Sequence, residues 1–282
     1  MLVRDECEIT PAEFRRVSEL VHRHCGISLN DGKMSLVQAR LAKRLRAGRF
    51  GTVTAYLDHV QADPGGSEFT ELIDAISTNL TSFFREDDHF RYLADHGVPG
   101  MLARRRGAAG GARVRAWSAA CSTGEEPYSL AMTLLDALGP KAGSVDLKIL
   151  ATDICTRVLR TAEAGVYDEA RVRSVPPDKR ARYLRPERQG GRAAFKVVPE
   201  VRDAIRFRHL NLTGAWPFAG PFQFIFCRNV MIYFDKPTQE RLVGRFYDCL
   251  EPGGLLFTGH SESLTGVAHR FRYVQPTIYA RP

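Results

Sequence analysis

The sequence predicts an α/β fold with a mostly parallel sheet and a small antiparallel β insert, preceded by an all-α domain. Short apolar runs at 113–119, 147–152, 222–227 and 254–259 read as strands. Most are followed by helical stretches, such as 127–138 and 236–250. Strands that alternate with helices form βαβ units, which bind ligands at the carboxyl edge of the sheet. The first 76 residues show helical periodicity alone, which predicts a separate domain at 1–76.

Length and composition exclude several classes of protein. The chain has 282 residues, which at roughly 150 residues per domain predicts one large domain or two. Hydrophobic residues make up 44% and charged residues 26%, a soluble globular balance that excludes bulk disorder, collagen and coiled coil. No apolar run approaches the ~20 residues of a membrane helix, and charges crowd the first ten residues. We therefore expect no transmembrane helix and no secretory signal.

Cysteine usage and net charge bear on the compartment and the partner. The six cysteines are scattered, with no CxxC pair and no histidine pair at metal-ligand spacing among them. They predict reduced thiols, a cytoplasmic location and no metal. The net charge of +8 favours an acidic partner, which leaves nucleic acid, anionic lipid and acidic protein open. Nothing in the sequence demands a dimer, and we expect a monomer.

The N-terminal region begins with strong helix signals. Thr10 can cap a helix, Pro11 suits its first position, and Glu13 can close a capping box. A second helix is predicted from Asp31 to about Gly48, with shorter helices at 52–61 and 67–77. The apolar stripe of this second helix comprises Met34, Val37, Leu41 and Leu45. Four cations share a sector away from that stripe: Lys33, Arg40, Lys43 and Arg44. We expect them on the solvent side, either docking an acidic partner or merely solvated.

The remaining boundaries follow from chain lengths. Residues 77–112 read as a linker and helix that end in the glycine-rich run 107–112, and 113–282 read as the second domain. More than 50 residues separate Thr152 from the next predicted strand, 205–210, far more than a single crossover helix needs. Hairpin signals at 190–198 place the antiparallel β insert at about 165–203.

The first predicted strand runs into a glycine turn that is followed by two acids. Small residues, then Gly124, then a helix start present backbone N–H groups to a ligand. Glu125 and Glu126 would repel a phosphate, so a cationic ligand fits better. The alternative is that both acids only complement the helix dipole.

Asp153 ends the second predicted strand, where a carboxylate can accept hydrogen bonds from two ribose hydroxyls. A ribose acceptor together with acids at the glycine turn indicates S-adenosylmethionine, a nucleoside whose tail carries a sulfonium and an ammonium but no phosphate. Taken alone, Asp153 is equally a helix cap.

Five segments then resemble one family, the chemotaxis receptor methyltransferases (CheR). They are NLTSFFRE at 79–86, CSTGEEPYS at 121–129, ATDI at 151–154, CRNVMIYFD at 227–235 and GHSES at 259–263. The match spans nearly the whole chain in the right order. The resemblance implies a helical N-terminal domain and a Rossmann-like methyltransferase domain with a β insert. It also implies methyl transfer from S-adenosylmethionine to glutamate side chains on cytoplasmic chemoreceptor helices.

The resemblance also implies roles for individual residues. It puts Asn79, Thr81 and Arg85 at the cofactor and the entrance of the active site, and Glu125 or Glu126 at the methionine moiety. It gives Asp153 to the ribose and the pair Asn211 and Leu212 to the adenine. The catalytic residues it implies are Arg85, Arg228 and Tyr233, with Arg228 and Asn229 also beside the cofactor. We expect both arginines to contact the acceptor carboxylate off-axis.

Some readings stay open at this point. Arg228 can instead be a salt-bridged residue, Tyr233 a core residue, and His260 a structural histidine rather than a catalytic one. The insert of some family members grips a receptor C-terminal peptide, and the sequence does not settle that grip here. The rival functions are a nucleic-acid methyltransferase and a non-catalytic module that senses the cofactor. Against the former, the fourth strand ends in Cys227-Arg228-Asn229-Val230 and not in the Asn/Asp-Pro-Pro-aromatic motif of amino-directed enzymes.

Overall fold

The N-terminal region is a bundle of four helices. The structure, a computed structural model, describes residues 8–104 and 113–282. The four helices are α1 (Pro11–Cys25), α2 (Met34–Gly48), α3 (Val53–Ala62) and α4 (Ser67–Ile76), with a 3₁₀ turn at Asp31–Lys33. Thr10 and Glu13 form the predicted capping box: the Thr10 hydroxyl accepts from Glu13 N at 3.2 Å, and the Glu13 carboxylate accepts from Thr10 N at 2.9 Å.

Helix α2 packs through its predicted apolar stripe. Val37, Leu41 and Leu45 are buried in the core of the bundle, and Met34 packs against that core. The helix ends at Gly48 as expected, but Arg49 rather than a glycine takes the left-handed conformation, with φ 56°. The stripe therefore fixes the orientation of α2 and determines which of its residues face away from the bundle core.

The expectation that four α2 cations lie free on the solvent side is wrong for two of them. Arg44 donates to Glu68 at 2.8 Å and to Glu71 at 3.1 Å, which joins α2 to α4. Arg40 donates to the backbone carbonyls of Ile76 and Ser77, at the end of α4. The carbonyls at a helix end and the acids of α4 attract these guanidinium groups, which the wheel of a single helix does not show.

The segment between the domains is helical as far as it is described. It contains α5 (Asp88–Tyr92), a π-helical turn (Leu93–Gly97) and α6 (Val98–Arg104). The predicted glycine-rich lead-in, 107–112, falls outside the described residues.

The second domain is built on a seven-stranded sheet in the order β6-β2-β1-β7-β8-β10-β9. Its strands are β1 (Arg113–Ala119), β2 (Asp146–Asp153), β6 (Ile205–His209), β7 (Phe222–Cys227), β8 (Leu250–Thr258), β9 (Arg272–Gln275) and β10 (Ile278–Ala280). The first five strands in this order are parallel, and β10 pairs antiparallel with both neighbours. The predicted Rossmann-like α/β fold is confirmed. Strand β8 starts at Leu250, four residues before the predicted start.

Helices cover both faces of this sheet. They are α7 (Glu125–Leu138), α8 (Thr156–Ala164) and α12 (Lys236–Cys249). Alternate residues of β7 enter two different cores, Phe224 and Phe226 in one and Ile225 and Cys227 in the other. The alternation of side chains along a strand explains why a buried strand reads as a continuous apolar run.

The predicted β insert is confirmed as a three-stranded antiparallel sheet in the order β3-β5-β4. It comprises β3 (Val166–Asp168), β4 (Leu184–Gln189) and β5 (Arg192–Val197), with the short helices α9 (Glu169–Val172), α10 (Pro177–Tyr183) and α11 (Pro199–Arg202). Tyr167 on β3 donates its hydroxyl to the carbonyl of Thr123 at 2.7 Å. The insert therefore supports the glycine turn after β1.

The N-terminal domain packs against the carboxyl edge of the large sheet. Ser28 N donates to the Tyr233 carbonyl at 2.7 Å, beside a bridge between Ile27 and Phe234. His22 pairs with Asp235 at 2.9 Å. These contacts make the helical domain one wall of the space above the sheet.

Two further findings bear on the sequence expectations. Within the described residues, no helix is both long and apolar enough to cross a membrane. Five of the six cysteines are free and buried, namely Cys25, Cys121, Cys155, Cys227 and Cys249, and Cys7 falls outside the described residues.

Candidate active site

One cleft lies where the carboxyl ends of β1, β2, β6 and β7 meet the N-terminal domain. It holds about 1160 Å³ of empty space, its open mouth included. Most of the residues singled out from the sequence line it: Asn79, Thr81, Arg85, Glu126, Asp153, Asn211, Leu212, Arg228, Asn229 and Tyr233. Lys33 and Arg40 line it from the helical domain. Residues far apart in the chain are thus brought to a single site.

Asp153 lies at the floor of the cleft with both carboxylate oxygens partly satisfied. One oxygen accepts from Ser122 N and the other from Cys155 N, each at 2.8 Å. Burial raises the pKa of Asp153 to about 6, against the lowering effect of these N–H donors. The carboxylate organises its own turn and also faces the cleft, whereas the helix-cap reading is not observed, because Asp74 accepts from Thr156 N at 2.9 Å and Arg157 N at 3.0 Å at the start of α8. The Asp153 carboxylate retains acceptor capacity for a ligand.

The structure separates the two acids of the glycine turn. Glu126 lines the cleft, accepts from Ser118 Oγ at 2.7 Å and is buried, which raises its pKa although Arg228 opposes the shift. Glu125 points to the insert instead, where it accepts from Arg171 at 3.0 Å and from Thr123. Of the two acids that the sequence could not separate, Glu126 is the one that lines the cleft, and an arginine of the insert already occupies the Glu125 carboxylate.

Arg228 is held by carboxylates on two sides. Its guanidinium donates to Glu86 at 2.9 Å and to Glu126 at 3.3 Å, and also to the carbonyl of Arg85. Its side chain is only 1% exposed. Burial opposes ionisation of Glu86, but the Arg228 hydrogen bond and charge prevail and lower the pKa of Glu86 to about 2. The salt bridges of Arg228 are observed, its Nε has no hydrogen-bond partner among the described residues, and the expected off-axis contact with an acceptor stays a prediction.

The segment after β7 is shaped by Glu262. This buried carboxylate accepts from three backbone N–H groups: Asn229 at 2.6 Å, Gly259 at 2.7 Å and Ile232 at 3.2 Å. Burial raises the pKa of Glu262, against these donors. A Cβ at Gly259 would stand 2.6 Å from Asn229 Nδ2 and 2.7 Å from Glu262 Oε2, so only glycine fits there. The shape of the loop after β7 therefore depends on a residue far along the chain.

The segment 79–86 forms the rim opposite this loop. The Asn79 carbonyl accepts from Ser122 Oγ at 2.9 Å, which ties the rim to the glycine turn. Arg85 donates to the Leu80 carbonyl at 3.0 Å, and Asn229 Nδ2 donates to Glu86 at 3.1 Å. Arg85 is half-buried and forms no ion pair among the described residues. Of the two predicted catalytic arginines, it is the one with a guanidinium free to meet a ligand.

Backbone strain is concentrated at this cleft. Ala120, Ser122 and Asn229 have φ of 68°, 50° and 59°, and Phe84 and Glu86 in the rim have φ of 52° and 56°. Non-glycine residues in the left-handed region each cost about 1–3 kcal/mol and persist where surrounding contacts hold them. The hydrogen bonds to Ser122, Asn229 and Glu86 supply that restraint.

Asn211 and the mouth of the cleft both contact the helical domain. Asn211 Nδ2 donates to the His24 carbonyl at 2.5 Å, so part of its amide is already engaged across the interface. At the mouth, Lys33 Nζ lies 5.1 Å from the centre of the Tyr233 ring. Leu80 is 82% exposed at the same rim. The mouth therefore combines a cation, an aromatic ring and an apolar residue.

His260 does not line the cleft. Its Nε2 lies 3.0 Å from Asp88, and its side chain is exposed. The structural reading of this histidine is the one the contacts support.

Sequence reasoning missed the roles of Glu86 and Glu262. Glu86 is the last residue of the motif NLTSFFRE, and Glu262 lies within GHSES. No sequence pattern indicates which residues these two acids contact. It also missed Tyr167 and Arg171 of the insert. Their contacts with the glycine turn depend on how the insert packs, and the length and hairpin signals that predicted the insert do not indicate that packing.

Three features define the class of nucleoside-binding methyltransferase folds. They are a parallel α/β sheet with an acid at the end of β2, a glycine turn followed by acids, and a cleft at the carboxyl edge. The model described as "CheR methyltransferase, SAM binding domain" matches residues 79–280, and "CheR methyltransferase, all-alpha domain" matches residues 12–77. The chain belongs to the CheR methyltransferase family and is an S-adenosylmethionine-dependent methyltransferase.

Relatives cover almost the whole chain. A chemotaxis protein methyltransferase of Klebsiella aerogenes is 44% identical over 272 residues, 96% of this chain and 90% of that protein. Chemotaxis protein methyltransferase 2 of Pseudomonas aeruginosa is 44% identical over 276 residues, 98% and 95%. The chemotaxis protein methyltransferase of Escherichia coli is 41% identical over 273 residues, 96% and 91%.

Proposed function

We propose that this protein transfers the methyl group of S-adenosylmethionine to glutamate side chains of chemoreceptors in the cytoplasm, which gives glutamate methyl esters. The observation that carries the proposal is the single cleft whose floor holds acids suited to a ribose and an ammonium and whose mouth holds Lys33, Arg85 and Tyr233. A negative floor fits a cationic cofactor, and a cationic mouth fits a carboxylate acceptor.

The floor is assigned to the cofactor. Asp153 accepts hydrogen bonds from the ribose hydroxyls with the capacity its two backbone donors leave unused. Glu126 faces the methionine ammonium, and its buried carboxylate gains a second cationic partner beside Arg228. Asn211 and Leu212 lie on the adenine side, with Asn79 and Thr81 on the rim above.

The chemistry needs positioning more than proton transfer. A glutamate with a reference pKa of ~4.3 is ionised at neutral pH, so no general base is required. One carboxylate oxygen forms a bond to the methyl carbon while the carbon–sulfur bond breaks. The electron pair stays on sulfur, which leaves S-adenosylhomocysteine. In-line alignment at near-attack distance supplies the rate acceleration.

Arg85 and Tyr233 are assigned to the acceptor. Arg85 has no carboxylate partner among the described residues and can hold the second oxygen of the acceptor while the first attacks. Tyr233 adds a hydroxyl donor on the other side of the mouth. Arg228 and Asn229 act one step back, because their contacts with Glu86 and Glu126 fix the rim and the floor.

Partition of labelled methyl groups tests the proposal against both rivals. The protein is incubated with labelled S-adenosylmethionine and either a chemoreceptor cytoplasmic fragment or RNA and DNA. We expect label on the receptor fragment that is released as methanol by mild base. Base-stable label on nucleic acid would support a nucleic-acid methyltransferase, and cofactor binding without any transfer would support a sensing module; either result overturns the proposal.

A further inference from the structure

A cluster of possible metal ligands lies behind Arg228, outside the cleft. Glu86, His89 and His260 each offer one ligand atom, and these atoms lie within 4.8 Å of one another. None of the three lines the cleft. Sequence spacing predicts no metal here, because His260 joins the other two residues from the far end of the chain. The function proposed above uses Glu86 only as a partner of Arg228 and Asn229, and it gives no role to His89 or His260.

His89 carries a lone pair that nothing satisfies. Its side chain is fully buried, and Nδ1 has no hydrogen-bond partner among the described residues. Its other nitrogen, Nε2, lies 2.8 Å from Thr277 Oγ1, and that hydroxyl donates to the Pro276 carbonyl at 2.6 Å. Thr277 oxygen is then the acceptor, so Nε2 carries the ring proton and Nδ1 is bare. Nδ1 faces the Glu86 carboxylate at 3.7 Å. That Glu86 oxygen already accepts from Arg228 at 2.9 Å and from His260 N at 3.2 Å, so the buried acceptor left without a partner is Nδ1, and a cation between the two supplies one.

His260 is oriented in the same manner. Its Nε2 lies 3.0 and 3.1 Å from the two oxygens of Asp88, so this nitrogen donates and the lone pair lies on Nδ1. Histidines that bind metals generally donate their second nitrogen to a carboxylate or another oxygen, which fixes the ring. Asp88 and Thr277 are such partners for His260 and His89. The half-exposed His260 also gives an ion a path from solvent.

The local charge suits a divalent cation. Glu86 is one of the three ligands and Asp88 contacts His260, while Glu86 and Glu262 both lie close enough to raise the pKa of Glu126. Arg228 opposes these four acids with one positive charge and already pairs with two of them, Glu86 and Glu126. The excess of negative charge offsets the repulsion between Arg228 and a second cation.

We propose that Glu86, His89 and His260 bind a divalent transition-metal ion of the zinc class. The ligand atoms are His89 Nδ1, His260 Nδ1 and a Glu86 oxygen, and water or Asp88 completes the coordination. Two imidazoles and one carboxylate suit zinc and its neighbours, whereas magnesium and calcium require oxygen ligands. The ion fixes Glu86 and through it Arg228, so its role is to position the rim and not to take part in methyl transfer.

Metal titration of a tag-free protein tests this assignment. The protein is stripped with a chelator and titrated with Zn²⁺ in competition with a chromophoric chelator, with magnesium in excess as a competitor. We expect one equivalent to bind, magnesium not to displace it, and the melting temperature to rise with zinc. His260→Ala should weaken binding by about 10-fold or more. His89→Gln should do the same.

His22→Ala is the matched control. His22 and Asp235 form a pair at 2.9 Å with exposures of 44% and 40%, close to the 3.0 Å, 53% and 44% of His260 and Asp88, but without a third ligand among the residues that the structure describes. This variant should keep wild-type zinc affinity. Because His260 is exposed, His260→Ala should fold, and it tests the zinc site even if His89→Gln fails to fold. Absence of a bound equivalent, or equal affinity in His260→Ala and His22→Ala, would overturn the site without touching the methyl-transfer proposal.

Discussion

The Arg228 guanidinium donates to the Glu86 carboxylate at 2.9 Å, across the 142 residues that separate the two in the chain. The pair joins the rim 79–86 to the loop after β7, and Arg228 reaches from there to Glu126 in the glycine turn. Three separate motifs thus meet at one buried cation. Arg228 therefore holds the cleft together, and we propose Arg85 as the arginine that meets the acceptor.

Arg228→Ala should damage the fold, whereas Arg85→Ala should damage turnover alone. Removing Arg228 leaves two buried carboxylates without their cation, which we expect to cost about 3–5 kcal/mol. Arg85 has one carbonyl contact, so its loss should cost less than about 1 kcal/mol. Urea denaturation and steady-state kinetics of both variants check this contrast. Equal stability of the two proteins would show that the Arg228 ion pairs carry no net stabilisation.

Cofactor affinity should fall as the pH is lowered through about 6. Burial raises the pKa of Asp153 to about 6, so the carboxylate is ionised above that pH and protonated below it. An ionised acceptor makes hydrogen bonds of ~1.5–3 kcal/mol to ligand hydroxyls, and protonation weakens them. The same raised pKa lowers the free energy of unfolding as the pH rises through about 6, because the carboxylate must then ionise while it is buried.

Calorimetric titration of cofactor across this range, with Asp153→Asn beside the wild type, isolates the residue. The variant should bind more weakly at neutral pH and show a flatter pH profile. Glu126→Gln is the control for the second buried acid, whose pKa is also raised. If Asp153→Asn keeps the full pH dependence of cofactor affinity seen in the wild type, Asp153 is not the group that causes it. Asp153→Ala is less informative, because Ser122 N and Cys155 N also lose their acceptor.

Arg44→Ala should destabilise the helical domain, and Lys43→Ala should not. Arg44 bonds to Glu68 and Glu71 with its side chain 20% exposed, whereas Lys43 is exposed. We expect a loss of about 1–3 kcal/mol for Arg44 and within about 0.5 kcal/mol for Lys43. Thermal denaturation followed by circular dichroism measures both. A Lys43 effect as large as that of Arg44 would argue against the α2–α4 ion pairs.

Lys33→Gln should raise the Michaelis constant for the receptor and leave cofactor affinity unchanged. Lys33 lies at the mouth beside Tyr233, and its charge can attract an acidic helix only at close range, since the screening length is ~8 Å at physiological salt. Lys43→Gln, which removes the same charge from a residue that does not line the cleft, is the matched control. Methylation at several salt concentrations compares them. Parallel salt curves for Lys33→Gln and wild type would show that the mouth cation does not dock the receptor.

Glu262→Ala should reduce both stability and turnover. Three backbone N–H groups lose one acceptor, and each buried unpaired donor costs about 1–3 kcal/mol unless water replaces the carboxylate. The loop that carries Asn229 and Tyr233 then loses its restraint. Glu240→Ala, at an exposed acid that caps a single N–H group, is the control. Unchanged turnover in Glu262→Ala would show that the loop keeps its shape without the carboxylate.

The sequence predicted the layers of the fold and most of the cleft because both depend on local signals. Strand-end residues such as Asp153 and Arg228 are placed by the rule that parallel strands end at a common edge. The capping box at Thr10 and the stripe of α2 depend on contacts within a few residues, and both are found as expected.

Contacts between distant segments could not be predicted in this way. A helical wheel places Arg40 and Arg44 away from the core, but it does not show that α4 lies alongside and takes both cations. Glu125 and Glu126 are adjacent and identical in type, and only the position of Arg171 on the insert separates them. Glu262 shows the same limit, since its three donors come from two different loops.

Identification of the methylated atom tests the central claim most directly. A chemoreceptor cytoplasmic fragment is methylated with the wild-type protein and mapped by tandem mass spectrometry before and after mild base. We predict methyl groups on glutamate side chains that base removes, and none when the acceptor glutamate is replaced with glutamine. Base-stable methylation on a nitrogen, or modification that persists in the glutamine-substituted fragment, would contradict carboxylate attack in this cleft.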